Sequence, residues 1–232
     1  CLVNAQATKN VSGRKTDVLD CQWIQQLHTY GLLRASFRPP ADICVLRAYV
    51  RQRENLLQER ARQIQYMQKA LHLMNLKLTT VLSDLTGLTG MQIFRAILDG
   101  ERNPVTLAQL RDPRCKSSTE DIAKALTGNY RPEHLFALRQ AVEGIDFYGQ
   151  QLANCDSEIE SYYAVFEPQV APVEAQLPTE KRRTRHNPPN YDLRAYLYRT
   201  TGVDLTAVDG LDALLAQEII AEIGLDMSKW KT

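Results

Sequence analysis

The chain has 232 residues, 44% of them hydrophobic, and a formal net charge of +1 from 28 lysines and arginines against 27 aspartates and glutamates. That length holds one large domain or two small ones, and the balanced charge excludes a partner selected by net charge alone, so local clusters must decide. No run approaches the ~18 apolar residues of a membrane span and no signal peptide is read at the start, so no membrane partner is expected. Cys1, Cys21, Cys44, Cys115 and Cys155 form no CxxC pair and are odd in number. They fit reduced thiols in a cytoplasm, bacterial or archaeal, better than a disulfide scaffold or a zinc site.

The first residue is Cys1, in what reads as a strand, Cys1-Leu-Val-Asn. The expectation is the last strand of a sheet, in a piece of a longer protein. A basic, glycine-containing loop follows, Lys9-Asn-Val-Ser-Gly-Arg-Lys15, and then an amphipathic helix from Thr16 to about Tyr30. Thr16 is a candidate N-cap, because its hydroxyl can accept from the free amides of the first turn. Asp17 and Asp20 then stand three apart on one face at the helix start, where carboxylates are favoured. Gly31 ends this helix, and Arg38-Pro39-Pro40 makes a stiff hinge.

From Asp42 to Leu85 no proline or glycine intervenes, and every seventh residue from Ile43 is apolar: Val50, Leu57, Ile64, Leu71, Leu78, Leu85. The second seam is Leu46, Arg53, Arg60, Met67, Met74 and Val81. Such a stripe needs a partner helix, within the chain or in a second copy. One helix over the whole run would be roughly 65 Å long. Short helices are expected over 91–98, 106–110 and 118–126, punctuated by Gly100, Pro104, Pro113, Gly128 and Pro132. A second long helix is expected from Glu133 to about Phe166. Its seams are Leu138, Ile145, Leu152, Ile159 and Phe166, with Ala141, Tyr148, Cys155 and Tyr162. It can fold back along the first as an antiparallel hairpin, with the short helices at the tip.

Residues 168–190 are proline-rich and basic, Lys181-Arg-Arg-Thr-Arg185 followed by Asn187-Pro-Pro-Asn190, and read as a linker or arm. A short helix is expected over 191–200. Asp209-Gly210 then makes a turn, Asp212 a cap, and a helix runs to Gly224 with Leu214, Leu215, Ile219, Ile220 and Ile223 as its apolar face.

Three groups could carry chemistry. Carboxylates at i, i+3, here Asp17 and Asp20, can share one hard cation, and a divalent metal on phosphate oxygens drives phosphodiester chemistry. Alone the pair is a weak signal, and a solvated or capping pair is the default reading. Arg14 and Lys15 beside it, and Lys181, Arg182, Arg183 and Arg185 in the arm, suit a phosphate backbone, although such runs are also ordinary solvated linkers. Arg47, Arg51, Arg53, Arg60 and Arg62 give the first long helix a positive flank. They would either meet nucleic acid or pair with acids of the second helix such as Glu158 and Glu160. Third, Val208-Asp-Gly-Leu with Ala221-Glu-Ile-Gly224 resembles half of a helix–hairpin–helix, which aims amides at DNA phosphates. A plain core helix ended by Gly224 explains the same residues. His28, His72, His134 and His186 show no ligand spacing.

In this order the pieces resemble a known family. Arg14-Lys-Thr-Asp-Val-Leu-Asp-Cys with Leu27-x-x-x-Gly31 is similar to the closing acidic motif of the DEDD insertion-sequence transposases, the bridge-RNA-guided recombinases with a RuvC-like nuclease domain. Ser83-Asp-Leu-Thr-Gly-Leu-Thr-Gly90, Arg95-Ala-Ile-Leu-Asp-Gly-Glu101 and Leu126-Thr-Gly-Asn-Tyr-Arg-Pro-Glu-His-Leu135 resemble its middle, and 210–224 the start of its C-terminal transposase domain. The resemblance implies a magnesium-dependent enzyme that cuts and rejoins DNA, guided by a structured RNA and active as an oligomer. Asp17 and Asp20 would be the last two of its four carboxylates. The other two would lie upstream of Cys1 and the nucleophilic serine downstream of Thr232, so the nucleophile is expected outside this chain and the fragment alone is expected to be inactive.

The expected fold is mainly α, a long antiparallel coiled-coil hairpin flanked by a remnant of an α/β RuvC-like domain and the start of a helical transposase domain. The expected units are 1–38 for the nuclease remnant, 39–167 for the hairpin and its tip, 168–190 for the basic linker, and 191–232 for the opening of the transposase domain. Magnesium, DNA, a structured guide RNA and a second copy joined through the coiled coil are the expected partners. The rival reading is a non-catalytic coiled-coil module that binds nucleic acid or a partner helix.

Overall fold

Two long helices frame the molecule, α2 (Ala41–Leu73) and α6 (Pro132–Tyr162), and they pack together along their length. They run antiparallel. Tyr162 donates its hydroxyl to the Asp42 carbonyl at 3.1 Å, Cys155 Sγ lies 3.6 Å from the Tyr49 carbonyl, and farther along Gly144 faces the Gln63 side chain. The computed structural model describes residues 3, 17–33, 35–170, 177 and 187–229. Among these residues there are eight α-helices. The remaining six are α1 (Asp17–Thr29), α3 (Leu88–Leu98), α4 (Pro104–Ala108), α5 (Thr119–Ala125), α7 (Leu193–Thr201) and α8 (Ala213–Ile223). The fold is mainly α. The only β pairing among the described residues is an isolated antiparallel bridge between Val3 and Ala35; Cys1, Leu2 and Asn4 of the expected opening strand lie outside the described residues.

Both seams of α6 turn toward α2. Leu138, Ile145, Leu152 and Ile159 are buried, as are Ala141 and Cys155. Pro132 sits in the first turn of α6, where its missing N–H costs nothing. On α2 the seam holds from Ile43 to Leu71, but the helix stops at Leu73, twelve residues before the heptads run out. The stop is a Schellman turn. Asn75 takes the left-handed conformation (φ 57°), Leu76 N–H donates to the Leu71 carbonyl and Asn75 N–H to the His72 carbonyl. The expected helix to Leu85 is therefore corrected to 33 residues, about 50 Å long. Leu78 and Leu85 are still buried, but in the tip rather than along a rod.

The tip is fastened to that turn. Lys77 N–H donates to the Ala125 carbonyl at 2.9 Å and Asn129 N–H to the Met74 carbonyl at 2.8 Å. Gly128 lies so close that an added Cβ would sit 2.3 Å from the Met74 carbonyl oxygen, and at Gly90 it would sit 2.1 Å from the Leu85 carbonyl oxygen. Only glycine allows these approaches. The short helices then close over a distal core in which Met67, Leu71, Ile93, Phe94, Ile122 and Leu138 meet. Ser118 and Asn103 cap α5 and α4 through side-chain oxygens.

A second, proximal core forms at the other end. Ile43 and Leu46 of α2 and Cys155 and Ile159 of α6 are covered by Leu193 and Leu197 of α7 and by Ala213, Ala216 and Ile220 of α8. Gln217 is buried within it and donates to the hydroxyls of Tyr163 (3.0 Å) and Tyr191 (3.1 Å). Burial pushes both phenols well above their ordinary pKa, so they stay neutral. The C-terminal helices thus pack directly onto the base of the hairpin.

Candidate functional site

Asp17 and Asp20 occupy the first turn of α1, three residues apart, and both are exposed. α1 itself buries only Leu27, leaving Val18 and Ile24 in solvent. Arg14, Lys15, Lys181, Arg182, Arg183, Arg185 and the N-cap candidate Thr16 lie outside the described residues. His28, His72 and His134 are spread over α1, α2 and α6. Among the described residues no three His, Cys, Asp or Glu side chains gather closely enough to hold a metal ion. As hard oxygen donors, Asp17 and Asp20 fit Mg²⁺ in kind, and two carboxylates would make up only part of its coordination sphere.

Four of the five arginines on the positive flank of α2 are paired inside the chain. Among the described residues Arg60 has no acid partner, its buried Nε–H is unpaired, and its guanidinium reaches Asn187 Oδ1 only at 3.5 Å. Arg47 donates to the carbonyls of Ala221 (2.9 Å) and Glu222 (2.6 Å), the last turn of α8, where a cation opposes the negative end of the helix. Arg51 grips the Glu222 carboxylate at 2.7 Å and 3.0 Å, and Arg62 pairs with Glu59. Arg53, on the seam, forms a buried pair with Asp156 at 2.6 Å. The acid is Asp156, not Glu158 or Glu160, because Asp156 lies beside seam residue Cys155 and faces α2. The cleft of about 400 Å³ between α2 and α8 is lined by Arg47, Arg51 and Arg53 but also by Glu54, Glu218 and Glu222. Each of its three arginines is already paired with a carboxylate.

The Arg53–Asp156 pair does more than fill the seam. Arg53 also donates to the Asn187 carbonyl at 3.0 Å, and Asn190 N–H donates to the other Asp156 oxygen at 3.1 Å. Asn187 adopts a left-handed φ of 51° at this point. Asn187 and Asn190 are therefore pinned to the hairpin toward its base, beside the proximal core. Nothing in the local sequence marks Asp156 for this. The signal was the seam arginine, which demanded an acid somewhere opposite.

The helix–hairpin–helix candidate is α7, a 3-10 turn at Leu205–Ala207, and α8. Asp204 caps the turn and pairs with Arg194, whose guanidinium holds the Asp204 carboxyl below its usual range. Asp212 caps α8 by accepting from Leu215 N–H at 2.9 Å. That carboxylate occupies the amide end a phosphate would need, and the buried face of α8 lies on α2. The plain core helix ended by Gly224 is the reading this geometry supports.

Residues 1–76 match the IS110-type DEDD transposase family. The match, to a family described as a transposase, covers α1 with its acidic pair, the proline hinge and all of α2. The family implies DNA binding and metal-dependent catalysis in general. No curated protein and no solved structure matches the chain. No helix among the described residues is long and apolar enough to cross a membrane.

Proposed function

We propose that this chain acts in a DNA transposase that cuts and rejoins DNA to move an insertion sequence. The observation that carries this reading is that the family match spans Asp17 and Asp20 on α1. In it, the two carboxylates hold Mg²⁺ together with ligands from elsewhere in the active protein. The bound metal would neutralise charge on the scissile phosphate and activate the attacking oxygen. Arg14 and Lys15 beside the acidic pair, and Lys181, Arg182, Arg183 and Arg185 in the arm, contact DNA or a structured guide RNA of the kind the family uses. Arg47, Arg51, Arg53 and Arg62 of the α2 flank do not, because each already has an acid partner.

The hairpin seam is filled by the chain's own second helix, so an oligomer formed through the hairpin uses its outer face, where Phe136 and Phe147 are exposed. The test is excision by a recombinase that carries this chain. Asp20→Asn abolishes excision while leaving thermal stability unchanged. Normal excision by that variant removes the metal role and leaves the non-catalytic binding module.

A further inference from the structure

A cavity of about 440 Å³ opens where α6 ends and α7 crosses it, lined by Glu160, Ser161, Tyr163, Phe166, Tyr196 and Arg199 among others. Its aromatic wall is continuous. The rings of Tyr163 and Tyr196 stack with centroids 5.3 Å apart, and Phe166 lies 6.1 Å from Tyr163. Tyr163 is spent in the proximal core, whereas Tyr196 and Phe166 are only half-buried and keep ring surface to offer.

Arg199 sets this cavity apart. Its guanidinium lies 6.0 Å from the Tyr196 ring centroid, and its buried Nε–H has no hydrogen-bond partner. No carboxylate pairs with it among the described residues, a state it shares with Arg60, whereas Arg47, Arg51, Arg53 and Arg194 each have one. Glu160 lies on the same wall and accepts from the Tyr196 hydroxyl at 3.1 Å through one oxygen. A carboxylate there suits the exocyclic amine of a base or a sugar hydroxyl.

We propose that this cavity takes one nucleotide of a single-stranded nucleic acid, with its base against Tyr196 and Phe166 and its phosphate on Arg199. The combination of ring wall, unpaired guanidinium and carboxylate matches a planar base joined to an anion. The volume suits one small ligand. Bases stacked in a duplex cannot enter it. The proposal rests on the reading that the chain binds nucleic acid, and adds a strand type and a site to it.

The test uses the whole chain and fluorescein-labelled oligothymidylate of about 12 nucleotides, with a duplex of equal length as control, read by anisotropy over a salt series. The wild-type chain binds the single strand. Arg199→Gln weakens that binding about tenfold and lowers the salt slope by about 0.7, while Arg199→Lys keeps the slope. Ser161→Trp, at an exposed position on the rim, blocks entry with the charge intact, and thermal melts show that each variant folds. A 5-iodouracil oligonucleotide cross-links to Tyr196 or Phe166 on irradiation. Binding by Arg199→Gln and Ser161→Trp equal to wild type overturns the pocket and leaves the transposase reading standing. A wild-type chain that binds neither strand form overturns both. If Arg199→Gln fails to fold, Ser161→Trp and the cross-link decide.

Discussion

Arg53 and Asp156 meet at 2.6 Å with their side chains 7% and 4% exposed, one from each long helix. The pair is also the clasp on the segment at Asn187 and Asn190. Removing one partner strands a buried charge, so Asp156→Ala is expected to lose about 3–5 kcal/mol in urea denaturation. Replacing both, Arg53→Met with Asp156→Leu, is expected to recover most of that loss. The double variant should still free the 187–190 segment, read as faster amide exchange there. If Asp156→Ala melts like wild type, the pair is not coupled to the fold.

Asn75 ends α2 in the left-handed region. Asn75→Ala is expected to cost about 1–2 kcal/mol from the steric clash of Cβ with the carbonyl, whereas Asn75→Gly should be close to neutral. Gly128→Ala must push backbone at Met74, against which its Cβ would lie at 2.3 Å. A loss of about 3 kcal/mol is expected there. Thermal melts of the three variants rank them, and an Asn75→Ala as stable as wild type would remove the cap argument.

The distal core gives a plainer contrast. Phe94 is fully buried and Val105 is 58% exposed, though both lie in the short helices of the tip. Phe94→Ala should cost about 3–5 kcal/mol, and Val105→Ala no more than about 0.5. Equal effects would mean that the tip is not packed around Phe94.

Acid should loosen the α7–α8 turn. Arg194 lowers the Asp204 pKa in the folded chain below its ordinary value. A depressed carboxyl contributes stability that is complete above the unfolded pKa of about 3.9 and is lost as pH falls through the folded value. Stability should therefore fall below about pH 4, and Asp204→Asn should flatten that acid limb. An unchanged limb in the variant would assign the loss to other groups.

The heptads showed where the long helices face, and six of the eight helices fall within about three residues of their expected places. The end of α2 was hidden because Leu78 and Leu85 keep the seven-residue register by chance, while the break comes from one asparagine. A period reports burial, not which element does the burying. For the same reason the packing of α8 on α2 could not be read from Leu214 or Ile220. Asp156 was invisible because an acid next to a seam is ordinary in sequence and decisive only when an arginine stands opposite. Asp17 and Asp20 were legible as a pair at a helix start, which is a local property. What completes a site around them is not local, and spacing could not supply it.

The two cores differ in how far apart in the chain their parts lie. The distal core is assembled from residues 64–145, so its contacts close modest loops. The proximal core needs Ile43 to meet Ala221. Closing longer loops costs more entropy before any contact rewards it, and slows folding. The tip should therefore acquire protection from hydrogen exchange early in refolding, with the base of the hairpin sealed last, after α7 and α8 have been recruited.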